Sequence, residues 1–436
     1  MVVPVPGPRS KEAREREASC IAPGYQAIAA YAGIAVDRGI GSEIVDLDGN
    51  RFLDIAAGIC VAALGYGHPE YVKAMSEQLA RTHVGSFTTL ARVEAVRAVA
   101  AVAPTGLDRV QLYSGGAEAV ESAMRLARAY TGKFEVLSFW GGFHGKTSGS
   151  LAQMGSDFKH GLGPLVPGAY LTPYADCARC PFKIKYPECA LLCVEFARDK
   201  LKRETTGRLA AILVEPMQGT AGNIVPPDDF LPAVAALAKE HGALLIADEM
   251  ITGFGRTGKM FGVEHSGVKP DIMTLGKSLG GGFPVSAVLV RDDISKSEPW
   301  SKPSFSSSSY GGNPLAGAAV ATSMRIIREE HLVGNARRVG EVLLEGIRKL
   351  SERYRSVTNV RGAGLFIGFD LVDPKDPATL WSSERCKQLF SGLVGRGLIS
   401  MAYAPRVRVN PPLIFTEDQA REAVEILDAG LAEIRA

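Results

Sequence analysis

The sequence predicts an α/β fold: a large domain with a mainly parallel sheet covered by helices, plus a smaller α+β domain. Three observations predict it. Strand and helix signals alternate from residue 110 to residue 290. Several strand candidates are apolar without a break, as strands buried on both faces require. After Asn313 the alternation gives way to long helical stretches followed by strands.

The elements follow in order. Residues 9–16 read as a helix start, and residues 44–54 as a hairpin with Asp48-Gly49-Asn50 at its turn. Residues 110–113 are a short apolar run before a glycine turn. Residues 117–130 then have helical spacing, with Val120, Met124 and Ala127 on one face. Strands are predicted at 136–139 and 211–214. Asp228 and Asp229 stand where they can cap a helix whose inward face is Phe230, Val234 and Leu237, ended by Gly242. Residues 243–247 are wholly apolar, and 272–275 and 285–290 complete the series. Alternating β and α of this kind implies a parallel sheet with helices on both faces. Helices are then expected over 314–328 and 332–353, strands over 356–360 and 365–371, a helix near 384–396 and an amphipathic one from 416 onward. The expected division is residues 1–66 as part of the small domain, 67–325 as the large domain and 326–436 as the C-terminal small domain.

Composition excludes several classes. With 46% apolar and 22% charged residues the chain is an ordinary globular protein. Lys and Arg number 49 against 47 Asp and Glu, so there is no charge reason to expect nucleic acid or an anionic membrane as partner. No apolar stretch approaches the ~20 residues of a membrane span. The start of the chain lacks a secretory pattern, which makes the cytoplasm the expected compartment. Seven cysteines in 436 residues are too sparse for a disulfide scaffold.

Chemistry is concentrated in a few motifs. Lys277 lies just past an apolar strand, in Thr274-Leu275-Gly276-Lys277-Ser278-Leu279-Gly280-Gly281-Gly282. Ligands of parallel sheets bind at that edge, and a lysine there becomes a nucleophile when its ammonium is desolvated or set beside a cation. Read alone, it is an ordinary loop lysine. Asp248 ends a second apolar strand, Leu244-Leu245-Ile246-Ala247-Asp248. Its carboxylate can pair with a pyridinium nitrogen and keep the ring an electron sink; alone, it is a turn-capping Asp. Lysine and acid at two such strand ends are seldom coincidental. Tyr113-Ser114-Gly115-Gly116-Ala117 carries a strand through a glycine turn into a helix N-terminus, a place suited to phosphate. Phe143, in Gly141-Gly142-Phe143-His144-Gly145-Lys146, can stack on an aromatic cofactor or simply fill core.

Over nearly its whole length, the chain resembles the class III pyridoxal-phosphate aminotransferases, closest to the 4-aminobutyrate branch. The likeness rests on these motifs together with residues 54–69, Val214-Glu215-Pro216-Met217-Gln218-Gly219, Tyr310-Gly311-Gly312-Asn313-Pro314 and Arg406-Val407-Arg408-Val409-Asn410-Pro411-Pro412. The resemblance implies fold type I and a homodimer or dimer of dimers. It also implies pyridoxal 5'-phosphate held as an aldimine on Lys277, with an amine donor and a 2-oxo acid acceptor. Lys277 would also shuttle the proton, and Asp248 would pair with the ring nitrogen. Phe143 would stack on the ring, with His144 and Ile251 also at the cofactor. Gly115, Gly116 and Ala117 would hold the phosphate, joined by Ser309 from the partner subunit. Ile59, Cys60, Lys146, Glu215 and Arg408 would meet substrate. Arg408 would grip an α-carboxylate and be masked by Glu215 when a plain amine is bound, since Arg suits a bidentate carboxylate. A racemase or epimerase is the alternative within the family. A non-catalytic cofactor-binding protein is disfavoured by the joint presence of Lys277, Asp248 and Arg408.

Four positions depart from the family pattern. Gly115 replaces a hydroxyl residue, Ile251 a Gln, and Ser309 a Thr. Lys146 replaces an Arg; a point charge without the planar fork argues against strict 4-aminobutyrate specificity. Two further signals carry less. Gly253 to Lys259 has phosphate-loop spacing, but Met260 stands where a Mg²⁺-binding Ser or Thr is required. Cys177, Cys180, Cys189 and Cys193 read either as a structural zinc site or as a reduced surface loop, and no metal is assigned.

Overall fold

The computed structural model describes residues 1–435. They form two compact units: one of Met1–Val72, Gly255–Gly258 and the chain from Glu330 onward, the other of Lys73–Phe254 and Lys259–Glu329.

The second unit is built on a seven-stranded sheet. Its order is Arg109–Tyr113, Ser286–Val290, Ile272–Leu275, Leu244–Asp248, Leu209–Val214, Glu135–Phe139 and Ala169–Thr172. Ser286–Val290 runs antiparallel to both its neighbours, and the other pairings are parallel. The reversal follows from the connection. Only residues 276–285 separate it from Ile272–Leu275, whereas a parallel return needs about a dozen residues or more. The strands are buried because helices cover them. Gly116–Thr131 packs Val120, Met124 and Ala127 against Val136, Ala211, Ile246 and Ile272. Full burial of each large apolar side chain stabilises by about 1.5–3 kcal/mol.

Several features differ from the sequence reading. Asp229 stands at the N-cap of Phe230–Glu240 but makes no side-chain cap, and the Phe230 N–H donates to Pro227 O. The edge strand Ala169–Thr172 is short and only partly buried, and the sequence reading does not predict it. The break between units lies beyond residue 325, because Pro314–Glu329 continues as one helix and packs on Leu90–Val102.

The first unit holds two four-stranded sheets. In one, the hairpin Glu43–Asp46 and Arg51–Asp54 pairs with Val36–Ile40 and Leu398–Ile399. In the other, Val357–Ala363, Phe366–Asp373, Asp376–Leu380 and Arg406–Val409 pair antiparallel. Helices Leu332–Arg353 and Glu417–Arg435 pack together in this unit. Gly255–Gly258, expected in the large domain, belongs here: the fully buried Arg256 guanidinium donates to Leu365 O and Pro411 O. No described helix is long and apolar enough to cross a membrane.

Candidate active site

Parallel strands bring their carboxyl ends to one edge, and the candidate residues follow those ends. Gly115, Gly116 and Ala117 come after Arg109–Tyr113, and Lys277 after Ile272–Leu275. Asp248 closes its own strand, Glu215 follows Leu209–Val214, and Phe143 and His144 follow Glu135–Phe139. Asp248 lies in register with Thr274, three residues before Lys277. Lys277 is half-buried and has φ of 45°, in the left-handed region. A non-glycine residue held there is strained, and such strain clusters at functional sites.

Asp248 is 2% exposed, and its two oxygens are differently engaged. Oδ1 accepts from Thr274 Oγ1 at 3.0 Å and from the Met250 N–H at 3.2 Å. Oδ2 meets His144 Nδ1 at 2.7 Å. Burial alone would lower the His144 pKa, but the hydrogen bond and charge of Asp248, with Glu215 behind, outweigh it and raise it. Glu215 is also buried. Its Oε1 accepts from the Phe143 N–H and its Oε2 from the Gly219 N–H, each at 2.9 Å. Burial pushes its carboxyl up to about 7, aided by the Asp248 charge and opposed by His144.

The amides at the start of Gly116–Thr131 are the orphan donors of a helix N-terminus, where anions bind. Glu118 takes the Ser114 and Gly115 N–H groups, and Ser286 Oγ donates to Gly115 O at 2.7 Å, fixing the turn. A Cβ on Gly276 would lie 2.6 Å from Met250 Sδ, and one on Gly116 would lie 3.3 Å from it. Met250 therefore packs between the lysine loop and the phosphate-type turn. Ile251 is 7% exposed and packs against Gly219. Phe143 stands edge-on to Phe158, with ring centroids 5.4 Å apart. Lys146 is exposed and holds its Nζ 5.1 Å from the Phe158 ring. Ser309 lies in an exposed loop of the same unit. Ile59, Cys60 and Arg408 belong to the other unit: the first two in a turn with φ of 66° and 68°, Arg408 in strand Arg406–Val409 opposite Gly368.

Sequence reasoning missed Thr274, Met250 and Phe158. The one available signal was Thr274, a polar residue inside the apolar run before Lys277.

These residues suit pyridoxal phosphate. A buried acid ends one strand, a strained lysine lies beyond the next, and a helix N-terminus of the kind that suits phosphate follows a third. The other signals do not join this edge. The seven cysteines are unpaired, and no three of the described His, Cys, Asp and Glu are grouped to hold a metal ion. Burial, then Cys189 and Cys180, raises the Cys177 thiol to about 11, and burial raises Cys193 to about 12. Thiols held protonated are poor nucleophiles. The double change Cys177→Ser with Cys180→Ser is expected to lower Tm by about 2–4 °C with turnover kept. Lost turnover in a folded variant would contradict a structural role, and metal analysis of chelator-free protein would decide between zinc and bare thiols.

A family model described as Aminotransferase class-III matches residues 25–431. The chain is 38% identical over 396 residues to an acetylornithine aminotransferase of Methanopyrus kandleri, covering 90% of this chain and 92% of that protein. It is 33% identical over 411 residues to a leucine/methionine racemase of Thermococcus litoralis, covering 93% and 92%. A solved amine transaminase from an uncultivated Pseudomonas species, in its PLP-bound form, aligns with a TM-score of 0.88 at 30% identity, covering 95% of this chain and 98% of that one. The chain belongs to the class III aminotransferases, pyridoxal-phosphate enzymes of fold type I.

Proposed function

We propose that the chain moves an amino group from an ω-amino acid or other primary amine to a 2-oxo acid, 2-oxoglutarate or pyruvate. The observation that carries this is Lys277, strained at a strand end, beside a second strand end where buried Asp248 is braced by His144 and Thr274. Bound pyridoxal phosphate supplies a carbonyl that takes up amines and a ring that stores the electron pair left at carbon. Lys277 Nζ holds it at rest and then moves the proton at the amine-bearing carbon. Asp248, which accepts from Thr274 Oγ1 and the Met250 N–H, holds a proton on the ring nitrogen. The Gly116 and Ala117 amides and the Gly115 turn fix the phosphate. Phe143 and Ile251 bound the ring.

Arg408 is proposed to grip the acceptor's α-carboxylate. Lys146 would serve donors that carry a distal carboxylate, and Ile59 and Cys60 would line the donor's path. Removing Arg408 is expected to cost the 2-oxo acid half-reaction at least about tenfold, the scale of a lost charge-assisted hydrogen bond, and to spare the amine half-reaction. Lys146→Ala should weaken carboxylate-bearing donors only. Single-turnover kinetics of each half-reaction check both. Equal losses in the two half-reactions for Arg408→Ala would contradict the division.

A second reading, an amino-acid racemase, has support from the relatives that carry that name. Turnover of an amine panel with and without 2-oxoglutarate or pyruvate separates the two, because a racemase needs no acceptor. The chain is also proposed to pair with a second copy. Phe87 and Leu90 are 88% and 78% exposed, and Phe305 and Tyr310 flank the Ser309 loop at 57% and 65%. A contiguous apolar patch marks an interaction surface, and these four side chains are the proposed candidates for it.

A further inference from the structure

We propose that Glu215 is a positioning residue: its carboxylate ties the loop that carries Phe143 and His144 to its own loop, whose Gly219 seats Ile251, and so sets the cofactor site independently of Arg408. The inference rests on the proposed cofactor roles of those three residues. It goes beyond the masking of Arg408 that the resemblance implies for Glu215.

The geometry has three parts. Glu215 Oε1 takes the Phe143 N–H at 2.9 Å, on the loop that follows strand Glu135–Phe139. Its Oε2 takes the Gly219 N–H at 2.9 Å, on its own loop. One carboxylate therefore bridges the loops with both oxygens. The next residue after Phe143 is His144, whose ring meets Asp248 at 2.7 Å. Any slip of the Phe143 backbone thus moves the stacking ring and the Asp248 brace together. On the other side, a Cβ on Gly219 would lie 2.2 Å from Ile251 Cδ1, so Gly219 seats Ile251.

The surroundings are arranged to keep the bridge in place. Tyr174 is 4% exposed and donates its hydroxyl to Glu215 O at 3.1 Å and Pro216 O at 3.0 Å. Gln218 Nε2 donates back across the gap to Trp140 O at 2.9 Å, joining the same two loops in the opposite sense. Burying a carboxylate is costly unless its oxygens are satisfied, and here two backbone donors satisfy them. Glutamine of the same length would set an amide donor against one of the two N–H donors. Aspartate keeps the charge but is one methylene too short to reach both amides.

The test uses Glu215→Gln and Glu215→Asp, each alone and with Arg408→Ala. Hydrogen exchange by mass spectrometry is followed over peptides covering 140–146 and 215–221. The visible absorbance of the bound cofactor and its rate of loss on dialysis are read on the same samples. Both variants are expected to exchange and to lose cofactor about tenfold faster, the scale of a broken buried hydrogen bond to a charged group. The changes should persist in the Arg408→Ala background. Unchanged exchange or unchanged cofactor retention would overturn the proposal, as would an effect that vanishes without Arg408 or wild-type behaviour in Glu215→Asp. A wild-type protein with no cofactor absorbance would instead remove the cofactor roles proposed above, and exchange alone would then judge the bridge.

Discussion

Lys277→Ala is expected to leave a folded chain whose turnover falls by about 10²–10⁴-fold, the usual contribution of a positioned acid–base group. The loss should be nearer the upper end, because the same nitrogen is also the point of covalent attachment. Stability should change little. The backbone at 277 stays in its left-handed conformation, with φ of 45°, whether Lys or Ala stands there. The side chain is only half-buried, so its removal opens no core cavity. Circular dichroism and thermal denaturation check the fold, and steady-state transamination checks the rate. Full turnover in Lys277→Ala would remove the lysine from the mechanism.

Asp248→Ala is expected to retain cofactor but to lose about 10²–10³-fold in kcat, the scale of removing one preorganised electrostatic partner. It should also destabilise the large unit. His144 Nδ1, Thr274 Oγ1 and the Met250 N–H all lose their buried acceptor, at about 1–3 kcal/mol for each group left unsatisfied. The pH dependence has a definite sign. Asp248 raises the folded pKa of His144 above its ordinary value. That contribution to stability is therefore fully present below about pH 6.5 and is lost as pH rises through the raised value. Without Asp248, burial acts on His144 with only the more distant Glu215 charge opposing it, and the sign of the contribution turns. The Tm gap between wild type and variant should thus be wider at acid than at alkaline pH. A gap that is constant with pH would mean that His144 is not coupled to Asp248.

Much of this edge was legible because a strand buried on both faces must be apolar throughout. Leu244–Asp248 and Ile272–Leu275 stand out for that reason, and the polar residues that close or follow them stand out against it. Strand direction was not legible from the residues of Ser286–Val290, which are as apolar as those of the parallel strands; only the short connection tells it apart. Ala169–Thr172 was not legible because an edge strand needs no continuous apolar run. The transfer of Gly255–Gly258 to the first unit depends on Arg256 finding carbonyls at Leu365 and Pro411, more than a hundred residues away. No local pattern encodes such partners. The same holds for the His144–Asp248 contact and for the two amides on Glu215. The residue types were visible in the sequence, but only the sheet order sets these loops side by side.

The most direct test of the cofactor assignment is borohydride reduction of the purified protein followed by peptide mapping. The visible absorbance should bleach, and the cofactor mass should be recovered on the peptide containing Lys277. Recovery on another lysine, or protein that carries no reducible cofactor after incubation with pyridoxal phosphate, would contradict the assignment of Lys277 as the attachment residue.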